Sequence, residues 1–401
     1  MNWKGLIKEI SPVWNFKVIL VIFLWAGSVG RAEHRDRSLC PANFHGNCKC
    51  DLDRETNYYI VNCTDTNLDN ANILEYMPVD TEVLIFTGNN VLDLPLYIFG
   101  RDAKYDKLKI VDLSNNKIQT IKDRTFHGVD NVEKLILNDN DLYLNGKDNQ
   151  PKMFRHFLNL EELHLRNTFT KKFIWSDHYM ENLEKIFMQS RLINLRILNL
   201  EKNEINSIPN RNFFCDLPSL RELRLSDNHL TEFNINIKCL PHLNILDLSH
   251  NYISYLNNET LTELELYPQL KINLSENPFR CDCNMIDFFQ WISTTEANLI
   301  SKDLYYCKDG FPPQNIGRPL SNLTTNDLLC RFFAHDFYTD LKAIYIILTL
   351  IIIAMVALVI TIIVYKNKRF VYDVAHRMSI NIRRKFQYDS LDKVEETEME
   401  V

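Results

Sequence analysis

Leu195-Arg-Ile-Leu-Asn-Leu-Glu-Lys-Asn203-Glu-Ile205 decides the fold. The same spacing, apolar-x-x-apolar-x-Leu-x-x-Asn-x-apolar, returns in Leu108-Lys-Ile-Val-Asp-Leu-Ser-Asn-Asn116-Lys-Ile and in Leu243-Asn-Ile-Leu-Asp-Leu-Ser-His-Asn251-Tyr-Ile. Eight segments follow it, with the polar position at Asn89, Asn116, Asn140, Thr168, Asn203, Asn228, Asn251 and Asn277. Side chains alternate along a strand, so the stretch x-Leu-x-Leu-x reads as a short strand with its leucines turned inward. An amide donates and accepts at once, so a stack of Asn residues can satisfy the turns of neighbouring segments. Thr168 offers only a hydroxyl, which predicts a locally distorted turn in the fourth unit.

This pattern, at intervals mostly within about 20–29 residues, is the leucine-rich repeat signature. The expected fold is α/β, a repeat solenoid with a parallel sheet on its concave face. In the outer halves, Leu94-Pro95 with Phe99, Ile121 with Phe126, and Ile208-Pro209 with Phe213 fill the convex side. One repeat cannot bury its apolar face alone, so both ends need lids. Cys40, Cys48, Cys50 and Cys63 precede the series, and Cys281, Cys283, Cys307 and Cys330 follow it. After Cys283, Phe288, Phe289 and Trp291 are placed to sit over the last repeat at the start of a helix. The pattern loosens at Tyr143–Pro151 and again at 169–190, which contains Lys171, Lys172, Trp175, His178 and Tyr179. Insertions in a solenoid map to loops on one face. The competing reading, favoured for Trp175 and Tyr179, is a degenerate repeat with aromatics in the core.

Two apolar segments set the compartment. Val18–Gly27 follows Lys4, Lys8 and Lys17 and ends in small residues, the form of a secretory signal peptide. Ala343–Tyr365 holds no charge, and at about 1.5 Å per residue it exceeds a hydrocarbon core roughly 30 Å thick. Lys366, Lys368, Arg369, Arg377, Arg383, Arg384 and Lys385 follow it, so the C-terminus is expected inside and the repeats outside, as in a single-pass type I protein of the plasma membrane. Ten cysteines behind a signal peptide point to disulfides rather than zinc sites, although spacing does not assign the pairs. Cys215 and Cys239 are the exception. They occupy nearly matching places in consecutive units, within disulfide reach. The expected organisation is a signal peptide at 1–30, an N-terminal lid at 31–78, repeats at 79–276, and a C-terminal lid at 277–331. A juxtamembrane stretch at 332–342, a membrane helix at 343–365 and a cytoplasmic tail at 366–401 complete it.

Catalytic signatures are missing from the sequence. It has no Gly-rich phosphate loop, no His-Glu-x-x-His and no Gly-x-Ser-x-Gly, and no cofactor is implied. The net charge of −7, with no basic stripe, argues against nucleic acid. The expected binding face is the concave one, carrying Glu162, His164, Arg166, Asn199, Glu201, Glu222, Arg224 and Asp247. A charged, ordered surface of both signs suits protein recognition better than acid–base chemistry. Asn62, Asn258, Asn273 and Asn322 begin Asn-x-Ser/Thr sequons. In the tail, Lys366–Phe386 is basic with interleaved apolar residues and suits an anionic leaflet. Tyr388-Asp-Ser-Leu391 has the form of an endocytic adaptor motif read as an extended peptide, and Met399-Glu-Val401 that of a PDZ ligand.

At the last repeat and its lid the chain resembles the trophoblast glycoprotein family. Leu256-Asn-Asn-Glu-Thr-Leu-Thr-Glu-Leu264, Asn277-Pro-Phe-Arg-Cys-Asp-Cys-Asn-Met-Ile-Asp287, Trp291 and Asn326-Asp-Leu-Leu-Cys330 carry the resemblance. It implies the lid pairs Cys281–Cys307 and Cys283–Cys330, and similar N-terminal lids imply Cys40–Cys50 and Cys48–Cys63. It also implies a surface glycoprotein that restrains Wnt/β-catenin signalling by engaging an extracellular protein ligand or a Wnt co-receptor. The alternative is an adhesion or guidance receptor for a neighbouring cell or matrix. The family's tail ends in a Ser-x-Val signal and this one in Met399-Glu-Val401, which separates the two at any PDZ site.

Overall fold

The computed structural model describes residues 40–41, 44, 46–144, 150–170, 179–328 and 330–398. The proposed signal peptide, Lys171, Lys172, Trp175, His178 and the terminal Met399-Glu-Val401 lie outside them. The chain divides into two units, Met1–Leu328 and Leu329–Val401.

In the first unit, eight three-residue strands follow the repeat: β3 Val83–Ile85, β4 Ile110–Asp112, β5 Lys134–Ile136, β6 Glu162–His164, β7 Ile197–Asn199, β8 Glu222–Arg224, β9 Ile245–Asp247 and β10 Lys271–Asn273. They pair parallel and in register from one repeat to the next. The central residue of each is buried, as Leu84, Val111, Leu135, Leu163, Leu198, Leu223, Leu246 and Ile272 are all fully enclosed. Burying one such side chain stabilises by about 1.5–3 kcal/mol, and here the burial is completed by the next repeat.

The lids extend the sheet beyond the repeats. At the N-terminal end β1 (Lys49–Leu52) and β2 (Tyr59–Asn62) form an antiparallel hairpin, and β2 then pairs parallel with β3. At the other end β12 (Asn298–Ile300) pairs parallel with β10, giving an 11-stranded sheet. β11 (Phe279–Cys281) and β13 (Cys307–Gly310) make a separate parallel pair.

Polar turns repeat as regularly as the leucines. Asn140 Oδ1 accepts from the N–H groups of Asn116 and Ile118 at 3.1 and 2.9 Å. Its Nδ2 donates to the carbonyls of Leu113 and Leu137 at 3.0 and 2.8 Å. The residue before each ladder position takes a left-handed backbone: Gly88, Asn115, Asp139, Asn167, Lys202, Asp227, His250 and Glu276 all have positive φ. This corrects the expectation of a distorted fourth turn. Asn167 has φ 47°, like its counterparts. Thr168 Oγ1 donates to Leu137 O at 3.0 Å, and the backbone carbonyl of Thr168 accepts the Leu142 N–H at 2.8 Å. A hydroxyl and a carbonyl replace the amide, so the backbone course is kept.

The loose region resolves partly into a helix, α1 (Tyr179–Ser190), whose Tyr179, Leu183, Ile186 and Phe187 are buried. Tyr179 lies edge-on to Phe169 at 5.2 Å, and Phe187 to Phe213 at 5.9 Å. Tyr179 is thus core, in agreement with the degenerate-repeat reading. A short helix α2 (Asn258–Leu264) starts with Asn257 accepting the Thr260 N–H, an N-cap.

The C-terminal lid contains α3 (Ile286–Thr294), which buries Phe288, Phe289, Trp291 and Ile292. Phe279 contacts Phe288 and Tyr305, each at 5.5 Å. The Tyr305 hydroxyl donates to Ile300 O and accepts from Leu274 N–H, tying lid to last repeat. Burial pushes the Tyr305 phenol up to about 12. Disulfides join Cys40 to Cys50, Cys48 to Cys63, Cys215 to Cys239 and Cys281 to Cys307, with Cα–Cα separations of 5.0, 4.3, 5.2 and 5.5 Å. Cys283 and Cys330 are disulfide-bonded too.

The second unit holds α4 (Cys330–Lys366) and α5 (Lys368–Glu398). Leu341–Lys366 is long and apolar enough to cross a membrane, with a mean hydropathy of 3.3.

Candidate functional site

Alternation in the three-residue strands sends the first and third side chains to the concave face. Glu162 and His164 of β6 therefore stand side by side, with His164 Nε2 at 3.1 Å from Glu162 Oε2. Glu162 also meets Lys134 of β5, its register neighbour, at 2.8 Å. Partial burial would raise the Glu162 carboxyl, but hydrogen bonds from Lys134 and His164 outweigh it and hold the group below its ordinary value. A lowered carboxylate pKa adds stability that is complete above the unfolded value and lost as pH falls through the folded one. Glu162→Gln is therefore expected to cost less than about 1 kcal/mol at neutral pH and to flatten the acid limb of a thermal-melt series below about pH 4.5.

Further along the face, Arg166 lies between Asp139 at 3.6 Å and Glu201 at 3.7 Å. Arg224 pairs with Glu222 in its own strand and stands in register between Asn199 and Asp247. Arg196 pairs with Glu161 at 2.7 Å. Between these pairs runs a shallow depression of about 360 Å³ bounded by Glu161, Glu162, Arg196, Arg221 and Glu222, with Ile197 and Ile245 on its floor. The surface is a mosaic of both signs held at fixed spacing by an in-register sheet, an arrangement suited to recognition by charge complementarity.

All eight expected face residues fall on these strands or the turn that follows. Six project as a face. Asn199 and Asp247 serve the fold instead: Asn199 Oδ1 accepts the Glu201 N–H at 2.9 Å, and Asp247 Oδ1 accepts from the Ser249 N–H and hydroxyl at 3.0 and 2.7 Å. Lys134, Glu161 and Arg196 belong to the face as well, beyond the residues expected from sequence. The signal for them is present, because all three occupy variable positions between the repeat's first and fourth, apolar ones.

Among the sequons, Asn62 ends β2 and Asn273 ends β10. Asn258 opens α2 and donates to Asp287 Oδ2 at 2.7 Å. Asn322 is exposed in the C-terminal lid. In the tail, Tyr388 and Leu391 fall inside α5. An adaptor that reads this motif as an extended peptide would have to unwind the helix first.

Family comparison agrees with this geometry. The family model for the leucine rich repeat matches residues 82–142 and 173–230. Trophoblast glycoprotein of Macaca fascicularis is 28% identical over 342 residues, covering 82% of this chain and 76% of the relative. The Mus musculus protein of that name is 26% identical over 357 residues, covering 85% and 78%. The crystal structure of human trophoblast glycoprotein, also called Wnt-activated inhibitory factor 1, superposes with a TM-score of 0.63 at 29% identity, over 72% of this chain and 98% of that one. The chain is a leucine-rich repeat protein similar to trophoblast glycoprotein over most of its length.

Proposed function

We propose that the chain is a single-pass type I glycoprotein of the plasma membrane, with its repeats outside, that binds an extracellular protein or a Wnt co-receptor and restrains Wnt/β-catenin signalling. The observation that carries the binding role is the mixed-charge face spread over in-register strands between two disulfide-bonded lids. A rigid sheet of paired charges steers and registers a protein partner, and it offers no constellation for chemistry. Support for the membrane anchor comes from the apolar span Leu341–Lys366 and the basic residues that follow it. Support for the pathway comes from the human relative, which bears the name Wnt-activated inhibitory factor 1. The basic first part of α5, as far as Phe386, suits the anionic inner leaflet.

The test is a β-catenin reporter in cells expressing the full chain. Wild type is expected to lower the Wnt-stimulated signal several-fold, and the double reversal Arg166→Glu, Arg224→Glu to restore most of it at equal surface level. Unchanged suppression by the reversed protein would remove the concave face from the account. Aggregation of expressing cells without any reporter effect would favour the adhesion reading.

A further inference from the structure

One register column crosses the concave sheet from Asn62 in β2, through Asp112, Asn199 and Asp247, to Asn273 in β10. At each of these five places the side-chain oxygen accepts the N–H two residues on, at 2.9–3.2 Å. At four of them that second residue is Ser or Thr, and its hydroxyl donates to the same oxygen. Asn and Asp supply this acceptor equally well. At these five places the turn therefore uses an Asx acceptor, backed at four of them by Ser or Thr, and is indifferent to which Asx it receives. Glycosylation is not indifferent, since it needs Asn.

The chain divides the two along the column. The ends are Asn62-Cys-Thr64 and Asn273-Leu-Ser275. The middle has Asp112-Leu-Ser114 and Asp247-Leu-Ser249, and Asn199-Leu-Glu201 lacks the hydroxyl. At both ends the carboxamide oxygen is held by the turn, while Nδ2, the nitrogen that takes the sugar, makes no hydrogen bond among the described residues. Asn258, by contrast, commits its Nδ2 to Asp287.

We propose that Asn62 and Asn273 carry N-glycans that fence the two ends of the concave face and confine a protein partner to β3 through β9. The proposal rests on the outward-facing reading of the repeats. Lysines report on it directly. Lys49 lies opposite Asn62 in the β1–β2 hairpin, Lys271 shares a strand face with Asn273, and both are exposed. Lys134 stands mid-sheet in β5.

Full-length chain from secretory cells is mapped by glycopeptide mass spectrometry, then acylated at lysine with a bulky reagent before and after enzymatic removal of N-glycans. Removal converts the glycosylated Asn to Asp, which keeps the turn's acceptor. Both end sites are expected to be occupied, and deglycosylation is expected to raise labelling at Lys49 and Lys271 several-fold and leave Lys134 unchanged. A bare Asn62 or Asn273 beside occupied Asn258 or Asn322, or an equal rise at Lys134, overturns the proposal alone. Four bare sequons overturn it together with the outward-facing reading. Asp247→Asn gives a second arm, because it creates Asn-Leu-Ser mid-face while preserving the turn. A glycan there is expected to abolish reporter suppression, whereas Asn273→Asp retains it. Suppression that survives a glycan at position 247, or an unmodified Asn at that position, counts against the fence.

Discussion

Gly310→Ala is expected to prevent the C-terminal lid from closing and to leave little folded chain at the cell surface. Gly310 has φ 127°, outside the range that residues with a side chain readily adopt. A Cβ added there would lie 2.5–2.6 Å from the backbone N, C and O of Cys281. Those atoms belong to β11, which pairs with β13 at this point, and Cys281 is itself tied to Cys307. Backbone fixed by a ladder and a disulfide has no side chain to swing aside. The cost is expected to exceed about 3 kcal/mol, in the range of special-φ strain combined with overpacking. Thermal unfolding and a non-reducing peptide map check it; wild-type surface level with an intact Cys281–Cys307 peptide would refute it.

The second large effect is expected from Asn140→Ala. Truncation leaves the Asn116 and Ile118 N–H groups without their acceptor, while the Leu113 and Leu137 carbonyls each lose one donor and keep another, Asn116 Nδ2 and Thr168 Oγ1. Each buried polar group left unmet costs about 1–3 kcal/mol, so a loss of roughly 3–5 kcal/mol follows after partial relaxation. Because each repeat leans only on its neighbours, the damage should be local before it is global. Hydrogen exchange should show protection lost across β4 and β5 first, with β9 and β10 retained. Uniform loss along the sheet, or none, would contradict the ladder account. Thr168→Val removes one donated bond and leaves the backbone bonds intact, so a smaller loss of about 1 kcal/mol is expected.

The repeat strands are legible in the sequence because one residue type does a job few others can. Asn at a fixed place in the turn donates and accepts, and leucines at fixed places interlock. Where the fold makes a conformational rather than a chemical demand, the sequence is mute. The left-handed position before the ladder is filled by Gly88, Lys202, His250 and Glu276 alike, which share no composition signal. β2 and β12 escape the pattern because Tyr59-Ile-Val-Asn62 and Asn298-Leu-Ile300 lack the full repeat and are recruited by the open edges of the sheet. α1 does carry a signal, since Tyr179, Leu183, Ile186 and Phe187 recur at helical spacing. The binding face is legible in outline. Which of its residues remain available is not, because Asn199 and Asp247 look like ligand-facing polar groups until their turn hydrogen bonds are seen.

The most direct test of the central claim places a photo-crosslinking amino acid, one site at a time, in full-length chain on living cells. Sites 166, 201 and 224 probe the concave face, and sites 188 and 266, where Met188 and Leu266 are 57% and 60% exposed, probe surface away from it. Adducts to an extracellular protein from the first three sites and not from the last two are the result this account predicts. Adducts confined to 188 and 266 would contradict it.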